Sequence, residues 1–413
     1  MKMNTMHFAS AEQILSEYQE GTSFFMASPT RTLLTKGIVQ TVPTTGYRHH
    51  PKQLLGQIQT LLQDAKEKGG THPMVAGAIP FDDMYPARLM VPLEVKWSGP
   101  LSFDHMLTKE EQPAVRHYHV TPVPTSHGYK KAVEQGLQKI KDGELQKIVL
   151  SRSVHLTSTE KPDVSKLLYK LAIRNPNGYT FAAPLLKGDG SDRTFPTTLA
   201  QKGVGTLLGA SPELLVSTSG SQVIVNPLAG STPRRDDPQE DRRRADALLI
   251  SEKNRHEHAI VIEAVTKALK PFCKTLHVPK EPSLLCTETM WHLSTVISGE
   301  LLSPSISSLE LALALHPTPA VCGTPTLLAK QAIQDIEPFE RGFFTGTVGW
   351  CDIDGDGEWI VTIRCAEVEE QNLRLFAGAG IVEGSVPEEE LSETSAKLCT
   401  MMRALGLDDD ILA

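Results

Sequence analysis

Several charged residues of this chain stand where charge is expensive. Arg364 lies in the otherwise apolar run Trp359-Ile360-Val361-Thr362-Ile363-Arg364-Cys365-Ala366-Glu367-Val368. A guanidinium stays protonated when buried and needs an anionic partner, and none is near in sequence. A distant core carboxylate would serve. So would an anionic ligand held between Arg364 and the bare backbone of Phe376-Ala377-Gly378-Ala379-Gly380, since repeated glycines in a strand mark a close approach. Glu257 shares a helix face with Ile260, Val261 and Ala264, so its carboxylate points toward the core side. A bound cation would offset that burial. Lys147 shares a strand face with Leu145 and Val149. In a central strand it points inward; on an edge strand it snorkels, the commoner outcome on periodicity alone.

Other groups read blandly by themselves. Glu213 ends Ser211-Pro212-Glu213 at a strand boundary, the place of an ordinary turn residue. Glu393 and Lys397 are four apart on a helix, a pair worth about 0.3–0.5 kcal/mol if exposed. His256 and His258 are two apart and face different ways, unlike a zinc pair. Asp352, Asp354, Asp356 and Gly357 imitate the start of a calcium loop. Its twelfth position would be Ile363, so a hairpin turn is expected instead.

The elements that must position these groups follow from pattern. Residues 342–382 read as three antiparallel strands, turning at Asp352–Gly357 and at Glu369–Asn372. An amphipathic helix, Tyr129–Asp142, stops at Gly143 before a strand at Leu145–Arg152. A helix at Val164–Arg174, a strand at Gly178–Leu186, a polar insert at 187–203 and a strand pair at 204–230 come next. Asp237-Pro238-Gln239-Glu240 opens a helical stretch to Lys270, long enough to expect a break near Ser251. Strands at 274–278 and 292–301, helices at Leu309–Leu315 and Thr326–Gln334, and a last helix from Pro387 to Leu405 complete the pattern. In the first 120 residues, helices at Ala11–Glu20 and Lys52–Lys68 and a strand at Thr71–Pro80 carry no visible chemistry. The expected fold class is α+β, a large, mostly antiparallel β-sheet core flanked by helices. No linker or repeat divides the 413 residues, so one domain is expected.

A net charge of −8 argues against nucleic-acid and anionic-membrane partners. Six cysteines without CxxC spacing read as reduced thiols. With no signal peptide and no apolar run near the ~18–20 residues of a membrane span, a cytoplasmic location is expected.

Four stretches, HPTPAVCGTP (316–325), EPFERGFFTGTVGW (337–350), GEWIVTIRCAEV (357–368) and RLFAGAGIV (374–382), resemble the chorismate-binding enzyme family. Isochorismate, anthranilate, aminodeoxychorismate and salicylate synthases belong to it. The likeness runs over residues 120–405, which makes 1–120 the variable part of the domain and 121–405 its catalytic part, and it implies a role for each charged group. KIVLSR carries the lysine that activates water in isochorismate synthases, here Lys147; GASPELL places Glu213 at the general acid. SEKNRHEH and ETSAK make Glu257 and Glu393 the carboxylates of a Mg²⁺ site, with Lys397 on a substrate carboxylate. Arg364, Gly378 and His316 bind substrate, Gly230 and Ser231 offer donors, and Ala320, Val321 and Phe344 shape the pocket beside the ring. The implied reaction is chorismate to isochorismate: water adds at C2 of the ring while the 4-hydroxyl leaves with a proton. It requires a protonated acid at Glu213 and an unprotonated amine at Lys147. Siderophore supply through 2,3-dihydroxybenzoate is the expected setting, with menaquinone supply, salicylate synthase and a catalytically silent chorismate-binding subunit as alternatives. No amidotransferase partner is expected, and a monomer suffices.

Overall fold

The computed structural model describes residues 10–42, 51–103, 118–186 and 205–407; the insert at 187–203 lies outside the described residues. Seventeen described strands form one sheet. From Cys273–His277 the pairing passes through Ile297–Leu301, Gln222–Asn226, Leu214–Ser219, Gly357–Val361, Thr347–Asp352, Met74–Ile79 and Arg88–Ser98. It continues through Thr32–Thr41, Phe25–Ala27, Tyr179–Leu185, Gly205–Ser211, Cys365–Glu369, Asn372–Ile381, Lys147–Ser158 and Tyr118–Val123. Every step is antiparallel.

Alternation along the strands shows how this strip curls. Met26, Met74, Ala76, Phe181, Leu207, Val348, Trp350 and Phe376 meet in one core, although they come from opposite stretches of the strip. Their strand neighbours face away. Val75, Cys351 and Val361 pack under the helices Pro51–Glu67, Glu252–Leu269 and Ser308–Leu315. Phe25, Ala182, Leu208 and Leu375 pack under Val164–Arg174 and Pro387–Leu405. The period of two therefore builds a helix–sheet–sheet–helix sandwich, with both sheet faces buried. Among the described residues no helix is long and apolar enough to cross a membrane, and all six cysteines are free.

The C-terminal block contains four strands where three are expected. Thr362, Ile363 and Arg364 leave the ladder, and Arg364 takes a left-handed backbone at φ 51°. The chain there crosses between layers: Gly357–Val361 pairs with Thr347–Asp352, whereas Cys365–Glu369 pairs with Gly205–Ser211. Residues 292–301 likewise divide. Met290–Ser294 joins a small separate sheet with Leu228–Pro233 and Ser283–Cys286, while Ile297–Leu301 stays in the large one. The stretch 204–230 contains three strands and the start of a fourth. Two further expectations hold. Ser251 ends one helix and caps the next, its hydroxyl accepting from Asn254 N. Asp352 is a turn residue, its Oδ1 accepting from the amides of Asp354 and Asp356 at 3.0 Å each.

Gly349 marks the tightest contact between paired strands near the turn. A Cβ on it would lie 2.1 Å from the Glu358 carbonyl oxygen and 2.8 Å from Trp359 Cα. Gly349→Ala is expected to destabilise the fold by about 1–3 kcal/mol, the usual cost of overpacking. An unchanged urea midpoint would show that the two strands separate there without penalty.

Candidate active site

The floor of the site is the ladder of Lys147–Ser158 against Asn372–Ile381, ten residue pairs long. Gly380 stands opposite Val149 and Gly378 opposite Ser151. A Cβ on Gly380 would lie 2.0 Å from Glu257 Oε1 and 3.0 Å from Lys147 Cε. Glycine there makes room for both side chains. Gly323–Thr324 also pairs with Ile148 and Lys147, so the lysine belongs to an interior strand and is fully buried. Snorkelling is excluded. Lys147 Nζ lies 2.8 Å from Glu257 Oε1, an ion pair whose alignment falls short of a hydrogen bond. Lys147 sits one layer behind the cavity wall, which Glu257 itself lines.

Glu213 reaches the cavity from the junction of Gly205–Ser211 and Leu214–Ser219. Its carboxylate accepts a weak hydrogen bond, from Leu228 N to Oε1 at 3.4 Å. Burial lifts its pKa to about 7, against the opposing pull of the Leu228 amide and of Lys147, Lys397 and Arg364. This carboxyl can therefore hold a proton near neutrality. Arg364 is buried on the cavity wall, and burial draws its pKa down to about 10 although Glu393 and Glu213 favour its charge. Its Nη2 lies 3.2 Å from His292 Nε2, and its Nε has no partner among the described residues. Burial, with Arg364 and Lys397 nearby, holds His292 well below the ordinary imidazole range. The neutral ring then accepts from the guanidinium without neutralising it. His292 had no sequence signal beyond its place in a strand.

Glu393 and Lys397 are not a solvated pair. Both line the cavity, with Lys397 Nζ 2.6 Å from Glu393 Oε1 and 2.8 Å from the Gly378 carbonyl. Burial pushes the Glu393 carboxyl upward, but Lys397, the Ser231 hydroxyl and Lys253 outweigh it and hold it low. Ser231 follows Gly230, whose φ of 77° brings its backbone against Asn254. Behind Glu393, buried Glu390 pairs with Lys253 Nζ at 2.7 Å, a contact the sequence reading missed. Ala320, Val321 and Phe344 form the apolar wall, with Phe344 stacked on Phe376 at 5.0 Å. His316 departs from expectation. It lies outside the cavity lining, where its Nε2 contacts the Pro80 carbonyl at 3.1 Å and its ring meets the edge of Phe81. The chain turns after the helix Ser308–Leu315, so only its continuation, Ala320-Val321, reaches the cavity.

Among the described residues no group of three or more His, Cys, Asp or Glu side chains is gathered around one point. Glu257 and Glu393 nevertheless share the cavity, each paired with a lysine. Two carboxylates and no softer donor suit Mg²⁺, which commonly takes one or two carboxylates and keeps several waters.

A family model described as chorismate binding enzyme matches residues 101–406. Isochorismate synthase DhbC of Bacillus subtilis (strain 168) is 58% identical over 408 residues, covering 99% of both chains. The vibriobactin-specific isochorismate synthase of Vibrio cholerae serotype O1 is 40% identical, covering 100% of this chain and 99% of that one. A crystal structure of DhbC from Bacillus anthracis superimposes with a TM-score of 0.88 at 52% identity, covering 96% of this chain and 100% of that one.

The Glu213 environment has a stability signature. A carboxyl raised from 4.5 to about 7 by folding contributes its full share below the unfolded value. That share is lost as pH rises through the folded value, because the native state binds the extra proton. The loss by pH 8 is roughly 3 kcal/mol, at 1.36 kcal/mol per pKa unit. Glu213→Gln is expected to flatten this slope, so that its stability relative to wild type improves from pH 4.5 to pH 8. Parallel urea-unfolding profiles for the two proteins across that range would exclude a raised Glu213.

Proposed function

The chain belongs to the chorismate-binding enzyme family, and we propose that it is an isochorismate synthase of the 2,3-dihydroxybenzoate, siderophore-forming type. The observation that carries the chemistry is the pairing of a proton-holding acid, Glu213, with a buried lysine, Lys147, around one cavity that also presents Arg364 and Lys397. Full-length likeness to two isochorismate synthases supports the same reading.

Chorismate carries two carboxylates and a 4-hydroxyl that must leave. Arg364, whose side-chain contact is a neutral imidazole, offers an uncompensated charge to one carboxylate. Lys397 reaches the cavity beside Gly378 and offers the second. Ala320, Val321 and Phe344 bound the ring on its apolar side. Glu213 gives its proton to the departing hydroxyl, a transfer suited to a pKa near the working pH. Lys147, in its neutral amine form, takes a proton from the water adding at C2, directly or through an ordered water. Glu257 and Glu393 would hold Mg²⁺, which when bound supplies Lewis-acid polarisation and a template for a substrate carboxylate. Ammonia is already nucleophilic and needs no such base, so a buried Lys147 favours water as the nucleophile. No glutamine amidotransferase is then required.

Metal dependence follows from the two carboxylates. EDTA is expected to abolish turnover and Mg²⁺ to restore it; full activity in metal-free protein would rule the metal site out. Lys147 decides the nucleophile. The pure protein should form isochorismate from chorismate without glutamine or ammonia, and Lys147→Ala should lose about 10²–10⁴-fold in turnover. Product identification by chromatography tests both, and anthranilate formed with ammonia, or a fully active Lys147→Ala, would overturn the assignment.

A further inference from the structure

One buried ion pair beside the cavity takes no part in the chemistry above. Arg341 is 4% exposed, and each of its N–H bonds has an acceptor. Nε and Nη2 donate to Glu337 at 2.9 and 2.6 Å, and Nη2 also donates to the Val149 carbonyl at 2.8 Å. Nη1 donates to the Val321 carbonyl at 2.8 Å and to Thr345 Oγ1 at 3.2 Å. Glu337 Oε1 in turn accepts from Ser151 N at 2.7 Å. Val149, Val321 and Thr345 all line the cavity, and they come from three separate segments. One guanidinium therefore fastens the floor strand, the apolar loop and the segment that carries Phe344.

The backbone at Thr345 shows what this fastening holds. Thr345 has φ 59°, a conformation that β-branched residues avoid. Among the described residues the other non-glycines with positive φ are Arg364, also on the cavity wall, and Glu370, in a hairpin turn. Thr345 N donates to the Thr362 carbonyl at 2.7 Å, two residues before Arg364. Strained backbone persists only where its surroundings over-determine it, and such places gather at functional sites.

We propose that Arg341 is a positioning residue for this reaction, holding the Thr345 hydroxyl and the Val149 and Val321 carbonyls so that Val321 and Phe344 set the ring against the incoming water. The role rests on the function proposed above. Because Arg341 contacts neither Arg364 nor Lys397, its loss acts on turnover more than on substrate binding.

The test uses the full chain with chorismate and Mg²⁺, measuring kcat and KM separately. Thr345→Val keeps the branched shape and removes the hydroxyl; Thr345→Ser keeps the hydroxyl. Thr345→Val is expected to lower kcat about tenfold or more with little change in KM, a small misplacement being costly in an oriented site. Thr345→Ser should retain near-wild-type kcat. Arg341→Lys, with three donors in place of the planar fork, should fall in the same direction. Should that variant fail to fold, the two Thr345 variants decide the matter. Wild-type kcat in Thr345→Val, or equal losses in Thr345→Val and Thr345→Ser, would overturn the proposal. Wild-type turnover in the same assay separates that result from a failure of the functional reading.

Discussion

The site depends first on register. Lys147–Ser158 and Asn372–Ile381 pair over ten residues, and side chains alternate between the two faces of that ladder. Val149 faces the cavity, whereas Ile148 and Leu150 face the core shared with the helices Ser126–Lys141 and Thr326–Ile336. A slip of one residue would exchange these sets and carry Lys147 away from Glu257. It would also remove Gly380 from beneath the Glu257 carboxylate, which a Cβ there would displace. The helices Glu252–Leu269 and Pro387–Leu405 can bring Glu257, Glu393 and Lys397 together only above a floor so fixed.

Charge is distributed around this floor with unequal compensation. Lys147 has Glu257, Lys397 has Glu393 and Arg341 has Glu337. Buried pairs of this kind are weak contributors to stability, since desolvation offsets much of the attraction. Their presence is better understood through what they hold in place. Arg364 differs. Its side chain meets a neutral imidazole, and one of its donors is buried without a partner among the described residues. The cavity thus contains a cation whose remaining demand is for an anion, which matches a dicarboxylate substrate.

The sequence revealed the elements better than their connections. The break at Ser251, the turn at Asp352–Gly357 and the last helix follow from capping and turn chemistry, which act locally. Where the chain passes between layers, local pattern carried no warning. Trp359–Val361 and Cys365–Val368 are both buried, so the stretch read as one strand carrying a charged residue rather than as two strands in different layers. The same holds for the site. Arg364 and Glu257 announced themselves as charges on apolar faces, but Glu213, Glu393 and Lys397 needed the family resemblance. His292, Glu390 and Arg341 escaped altogether, since their roles arise from partners far away in the chain.

Gly380 bears on how such a pocket can change over generations. Every other amino acid carries a Cβ, and any of them would place an atom 2.0 Å from Glu257 Oε1. A substitution at this position therefore acts through Glu257, whose carboxylate must move to admit it. Ala320, Val321 and Phe344 present apolar side chains to the cavity and leave graded alternatives in size. Variation in what the pocket accepts has its gentler path along that apolar wall, while a change in the glycine strand reaches the charged groups directly.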